Sequence, residues 1–152
     1  MGSQRAVSGY LPTSIGFYRK EFEIPDADKG KKISIEFDGI CRNSTVWVNG
    51  HLLGNHLSGY TPSNYDLTDV LRYGNEGKNV ILVKVDASDY EGWWYEGAGI
   101  YRHTWLVKRN AVHIATDGIH ANPVSTDGKR WSLPVEIEVN SARVITGCDR
   151  FF

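Results

Sequence analysis

The sequence lacks the features that announce the commonest functions. It has no excess charge of one sign: 17 Lys and Arg stand against 18 Asp and Glu, a net charge of −1. That balance removes the electrostatic case for nucleic acid or an anionic membrane surface as partner. No apolar run approaches the length needed to span a bilayer. Met1-Gly2-Ser3-Gln4 has none of the apolar segment of a signal peptide, which leaves the compartment open. Only two cysteines occur, Cys41 and Cys148, and they have no Cys-x-x-Cys spacing. A bridge between them and two free thiols are both open, because sequence separation does not fix the Cα geometry of a disulfide. His51, His56, His103, His113 and His120 are scattered and make no metal-ligand pair at helical spacing. Asp38 and Asp86 are the best acids for a loop-bound calcium, but no oxygen-rich constellation surrounds them. No phosphate-binding loop or Ser-His-Asp pattern appears, so neither a cofactor nor a metal is expected. Internal repeats, low-complexity segments and long amphipathic helices are missing too.

Short strand patterns separated by turn residues run through the chain instead. Gly16 to Ile24 alternates, with Tyr18, Lys20, Phe22 and Ile24 on one face, and Pro25 ends it. The lysine in that apolar row makes the alternation partial. Lys32 to Gly39 is cleaner: Ile33, Ile35 and Phe37 point in, while Ser34, Glu36 and Asp38 point out. Asn49-Gly50 between Thr45–Val48 and His51–Leu53 predicts a tight antiparallel hairpin, because both central turn residues need positive φ. Asp69 to Arg72 reads as one helical turn, capped by Asp66 or Thr68 and ended at Gly74. Lys78 to Val85 is apolar on both faces and predicts a central strand. Further strands are expected at Ile100–Val107, Val112–Ala115, Gly118–Asn122 and Trp131–Asn140, the last with Val135, Ile137 and Val139 facing in. Trp47 and Trp105, inside strands, are expected in the core or packed on a sheet face. Many short strands with almost no helix argue an all-β sandwich.

The most unusual stretch is Glu91-Gly92-Trp93-Trp94-Tyr95-Glu96-Gly97-Ala98-Gly99-Ile100-Tyr101-Arg102. Three consecutive aromatics stand between two acids on one loop. Sugar C–H faces stack on aromatic rings, and carboxylates accept hydrogen bonds from hydroxyls, so the composition suits a carbohydrate surface. Trp and Tyr also bury large areas and seal β cores, and composition alone leaves both readings open.

Four motifs occur in order: Gly16-Phe17-Tyr18-Arg19-Lys20, Val46-Trp47-Val48-Asn49-Gly50-His51-Leu52-Leu53-Gly54, Tyr65-Asp66-Leu67-Thr68 and Trp94-Tyr95-Glu96-Gly97-Ala98-Gly99-Ile100-Tyr101-Arg102. Together, over about Gly9 to Arg109, they resemble the N-terminal sugar-binding domain of glycoside hydrolase family 2, the group of β-galactosidases, β-glucuronidases and β-mannosidases. The resemblance implies a jelly-roll β-sandwich, similar to galactose-binding domains, over residues 1–110. It implies that residues 111–152 are the first strands of an immunoglobulin-like domain. Such a domain needs about seven strands and roughly 100 residues, so the segment reads as partial. Relative to the family the chain also starts late, and it is expected to be a fragment or a minimal module.

The resemblance implies a parent enzyme that is a bacterial retaining β-glycosidase. Its two catalytic carboxylates would stand about 5 Å apart in a TIM barrel, and that barrel is not in this chain. Glu91 and Glu96 flank the aromatics, but nothing in the sequence fixes them as a catalytic pair, so no catalytic residue is assigned. The family loop before Gly-Ile-Tyr-Arg reaches the barrel mouth, where an acid shapes the sugar site. Glu91 is the nearest match and Asp89 the second. Trp93, Trp94 and Tyr95 would be platform residues. Glu96 stands where many members have proline. Arg102 is expected to make a structural ion pair or to orient the loop. The expected function is a non-catalytic, substrate-shaping module for β-glycosides. The rival is a scaffold or interface domain with no sugar affinity. Its partners would be a carbohydrate, the absent barrel and, through unpaired strand edges, a second copy.

Overall fold

The structure is a computed structural model that describes residues 14–89, 97–125 and 127–141. The chain divides into two compact units, residues 1–108 and 109–152. Among its described residues the first unit has nine strands: β1 (Ile15–Phe22), β2 (Lys32–Phe37), β3 (Ile40–Cys41), β4 (Ser44–Val48), β5 (His51–His56), β6 (Ser63–Asp66), β7 (Asn79–Asp86), β8 (Gly99–Ile100) and β9 (Thr104–Arg109). One sheet runs β1-β7-β4-β5, the other β6-β2-β9, and β3 pairs with β8 beside them.

Alternation drives the assembly. Ile33, Ile35 and Phe37 of β2 are buried, and so are Val46 and Val48 of β4 and Ile81, Val83 and Val85 of β7. These rows share one core cluster with Ile24, Ile40, Leu67 and Leu71. Both sheets thus turn their apolar rows inward, as a two-layer sandwich requires. β7 is flanked by β1 and β4, with Tyr18 opposite Val83 and Val46 opposite the same residue. Its two-faced apolar sequence is that of a central strand.

The β4–β5 hairpin has the expected turn: Asn49 has φ 52° and Gly50 φ 86°. Asn49 does more than turn the chain. Its amide nitrogen donates to Val70 O at 2.7 Å and to Asn79 Oδ1 at 2.8 Å, while its Oδ1 accepts from Val80 N at 2.9 Å. Asn79 is fully buried and holds Arg72 through N–H and C=O, both at 2.8 Å. Two asparagines therefore tie the 67–72 turn to the sheet.

That turn is not the helix expected at 69–72. The Asp66 carboxylate accepts from Thr68 N at 2.9 Å, and Leu67 N donates to Ile33 O at 2.8 Å. Side-chain and sheet partners outcompete helical ones. A 3₁₀ turn lies further on, at Gly74–Glu76, where Glu76 accepts from Tyr73 N at 3.0 Å. The expected strand Ile100–Val107 is also split, into β8 and β9 on either side of Tyr101–His103.

The second unit contains β10 (Val112–Ala121), β11 (Val124–Ser125), β12 (Trp131–Ser132) and β13 (Val135–Ser141). The two weak strands expected at 112–122 form one, with a register irregularity between Ile114 and Ile119 and Asp117 at φ 58°. Ile114 pairs with Val139, Ile119 with Ile137 and Ala121 with Val135. The apolar row of β13 was expected to be buried, yet Val135, Ile137 and Val139 are half exposed. Two strands alone cannot enclose them.

Candidate functional site

Glu91, Trp93, Trp94, Tyr95 and Glu96 lie outside the described residues, as does Cys148. Both ends of their loop are described, and each is fastened to the first unit. On the entry side β7 ends at Asp86, whose N–H is shared between Arg42 O and Asn43 O, each at 3.2 Å. Its carboxylate accepts from Ser88 Oγ at 2.6 Å and from Lys84 Nζ at 3.2 Å. The Ser88 hydroxyl, with Lys84 behind it, holds this carboxyl below the usual range. Ala87 N donates to Ser14 O at 3.3 Å. Asp89, at the loop's foot, is exposed. Asp86 is thus committed to the loop base by protein partners, and among the described residues no cluster of acids, histidines or cysteines could hold a metal ion.

On the exit side the sequence Gly99-Ile100-Tyr101-Arg102 has a physical reading at every position. Gly99 has φ 104°, and a Cβ there would come within 2.2 Å of the Tyr18 hydroxyl. Only glycine meets both conditions. Ile100 pairs with Ile40 and packs on the core. The Tyr101 ring lies across Gly39, where a Cβ would be 2.9 Å from it, and its hydroxyl donates to Gly59 O at 2.9 Å. The Arg102 guanidinium stands 5.1 Å from the centre of the Tyr101 ring. Arg102 therefore engages an aromatic face, a cation–π contact. Asp89 and Arg102 mark the two feet of the aromatic loop.

A second group of polar and aromatic side chains was missed in the sequence. Trp105, expected in the core or packed on a sheet face, lies on a sheet's outer face, 49% exposed. Its Nε1 donates to Asp38 Oδ2 at 3.1 Å, and the His103 ring stacks on it at 5.2 Å with 29° between planes. The His103 Nδ1 is 3.7 Å from the same Asp38 oxygen. The outward alternation of β2 placed Asp38 on this face, and that was the available signal.

Between the two sheets a cavity of about 550 Å³ opens where the edges β1 and β9 diverge. Tyr18, Lys20, Phe22, Phe37, Thr104 and Leu106 are among its lining. Lys20, the odd member of an apolar row, thus faces a space between the sheets and not packed hydrocarbon.

Residues 5–110 match the family profile described as "Glycosyl hydrolases family 2, sugar binding domain". The chain belongs to glycoside hydrolase family 2. It is 42% identical over 126 residues to the β-galactosidase BoGH2A of Bacteroides ovatus, covering 82% of this chain and 15% of that protein. It is 33% identical over 146 residues to a β-glucuronidase of Formosa agariphila, covering 82% of this chain and 15% of that one. Among solved structures, a β-glycosidase from Bacteroides vulgatus superposes with a TM-score of 0.81 at 42% identity, over 93% of this chain and 18% of that one. The chain therefore spans a small part of the length of these family 2 relatives.

Proposed function

We propose that this chain is the non-catalytic carbohydrate-binding, substrate-shaping module of a family 2 β-glycosidase. The observation that carries the reading is the match of residues 5–110 to the family's sugar-binding domain, joined to a loop whose two feet are pinned to a rigid sheet. Trp93, Trp94 and Tyr95 supply stacking faces, and Glu91 and Glu96 accept hydroxyl hydrogen bonds. Asp89 and Arg102 flank the loop, the first as an acceptor and the second holding Tyr101 in place. Hydrolysis belongs to a retaining TIM barrel supplied by the rest of the parent protein, and the second unit is the start of an immunoglobulin-like domain.

The scaffold reading is favoured by one observation, the apolar cavity open along β1 and β9. A module of that kind packs on other domains and has no sugar affinity. Calorimetric titration with galactose, glucuronate, mannose and short β-linked oligosaccharides separates the two. Saturable heat that disappears in a Trp93→Ala/Trp94→Ala double variant supports sugar binding by the loop. A folded chain that gives no heat with any sugar is a scaffold.

A further inference from the structure

We infer that the outer face of the β6-β2-β9 sheet carries a second carbohydrate contact, built by Asp38, His103 and Trp105 and suited to neutral pyranosides. It uses none of the aromatic residues of the loop. Three observations converge on it. The rings of His103 and Trp105 form an offset stack, 5.2 Å between centroids, with the His103 side chain 78% exposed. The outer side of this stack, carried by the exposed His103 ring, offers a flat surface on which a pyranose C–H face can lie. The indole is held in place, because its N–H is already donated to Asp38 at 3.1 Å; a fixed platform loses little freedom when a ligand arrives. Asp38 itself is 41% exposed on its side chain, and its carboxylate has a second oxygen able to accept from a hydroxyl beside the rings.

Charge selects the ligand class. Glu36 lies on the outward row of β2, just before Asp38, and Asn64 donates to Glu36 Oε1 at 3.2 Å. Lys32, further along the row, is paired with Asp66 at 2.9 Å. The Asp38 carboxylate, beside the rings, repels a uronate carboxylate at close range, whereas it accepts hydrogen bonds from a neutral hexose. Methyl β-galactoside and methyl β-glucoside are therefore expected to bind more tightly than methyl β-glucuronide.

The test is calorimetric titration of the 152-residue chain with these three glycosides. It is run in parallel on His103→Ala, Asp38→Asn and the Trp93→Ala/Trp94→Ala double variant, with circular dichroism and melting curves for each. Asp38→Asn keeps an acceptor for the indole N–H, so it removes charge with little change of shape. The expected result is affinity for the neutral glycosides that persists in the double loop variant and falls about tenfold in His103→Ala and Asp38→Asn. The glucuronide is expected to gain affinity in Asp38→Asn. Binding lost in the loop variant but unchanged in His103→Ala and Asp38→Asn overturns this second site and leaves the loop reading standing. Binding to the loop variant that does not distinguish neutral from acidic sugars overturns the charge argument. A folded chain that binds none of the three overturns this second site, and the loop reading is then decided by the titration with mannose and the short β-linked oligosaccharides.

Discussion

Asp28 shows how one carboxylate couples distant parts of the first unit. It is buried, 6% exposed, and accepts from Lys31 Nζ at 2.7 Å. It also pairs with Lys108, eighty residues on in sequence. The Lys108 hydrogen bond, followed by that of Lys31, outweighs burial and holds the carboxyl below its ordinary 3.8. The folded chain therefore binds this proton more weakly than the unfolded chain. The resulting stability is complete above the ordinary value and is lost as pH falls through the lower folded value. Asp28→Asn should lower the melting temperature at pH 7 and flatten its decline between about pH 4 and pH 2. An equally steep acid limb in the variant would assign that limb to other carboxyls. Asn79 makes the second residue-scale case. Asn79→Ala leaves Arg72 N and Arg72 O without their partner in a part-buried place and removes one of the two acceptors of the Asn49 amide. It should cost about 2–3 kcal/mol in urea unfolding, with the 67–72 turn the first segment to exchange its amides.

At the scale of elements, the short β3–β8 pair is the most consequential for the proposed loop. It is two residues long on each strand, with Cys41 opposite Gly99. Gly99→Ala meets a positive φ and the Tyr18 hydroxyl together, and should cost about 1–3 kcal/mol. It should also move Tyr101 and Arg102, readable as a change in the tyrosine ring signals. β2 is the contrasting element. Phe37 is 1% exposed and meets the Tyr65 ring edge-on at 6.3 Å. Phe37→Ala should cost about 3–5 kcal/mol in denaturant midpoint terms without altering the Asp38 face. The reason is strand alternation: Phe37 points to the core and its neighbour points away.

At the scale of the molecule, the two units differ in how much they enclose. The first buries a continuous core from both sheets. The second pairs β10 with β13 and leaves Ile114, Ile119, Val135, Ile137 and Val139 between 45% and 57% exposed. Local stability follows buried contact. Hydrogen exchange should therefore find the amides of β7 slow and those of β10 and β13 faster by orders of magnitude. Equal protection in the two units would mean that the apolar face of the second unit is covered in solution, and sedimentation at rising concentration would show whether a second copy covers it.

Local rules of the chain were enough for much of this. Period-two alternation named Ile33, Ile35, Phe37 and the β7 row as core, because a strand facing one core has no other way to place them. Asn49-Gly50 determined a hairpin, because few residue pairs accept two positive φ angles. The ordered motifs from Gly16 to Arg102 pointed to the family that the residue 5–110 match then established. What sequence could not decide depended on partners far along the chain. Whether Asp66 caps a helix or braces a turn rested on Ile33, more than thirty residues away in sequence, offering its carbonyl to Leu67. Whether Trp105 is core or surface rested on which face of β9 meets the other sheet: Thr104 and Leu106 took the inner side, and the indole was left to Asp38. Alternation tells which residues share a face, but only the packing of one sheet on another tells which face is inside.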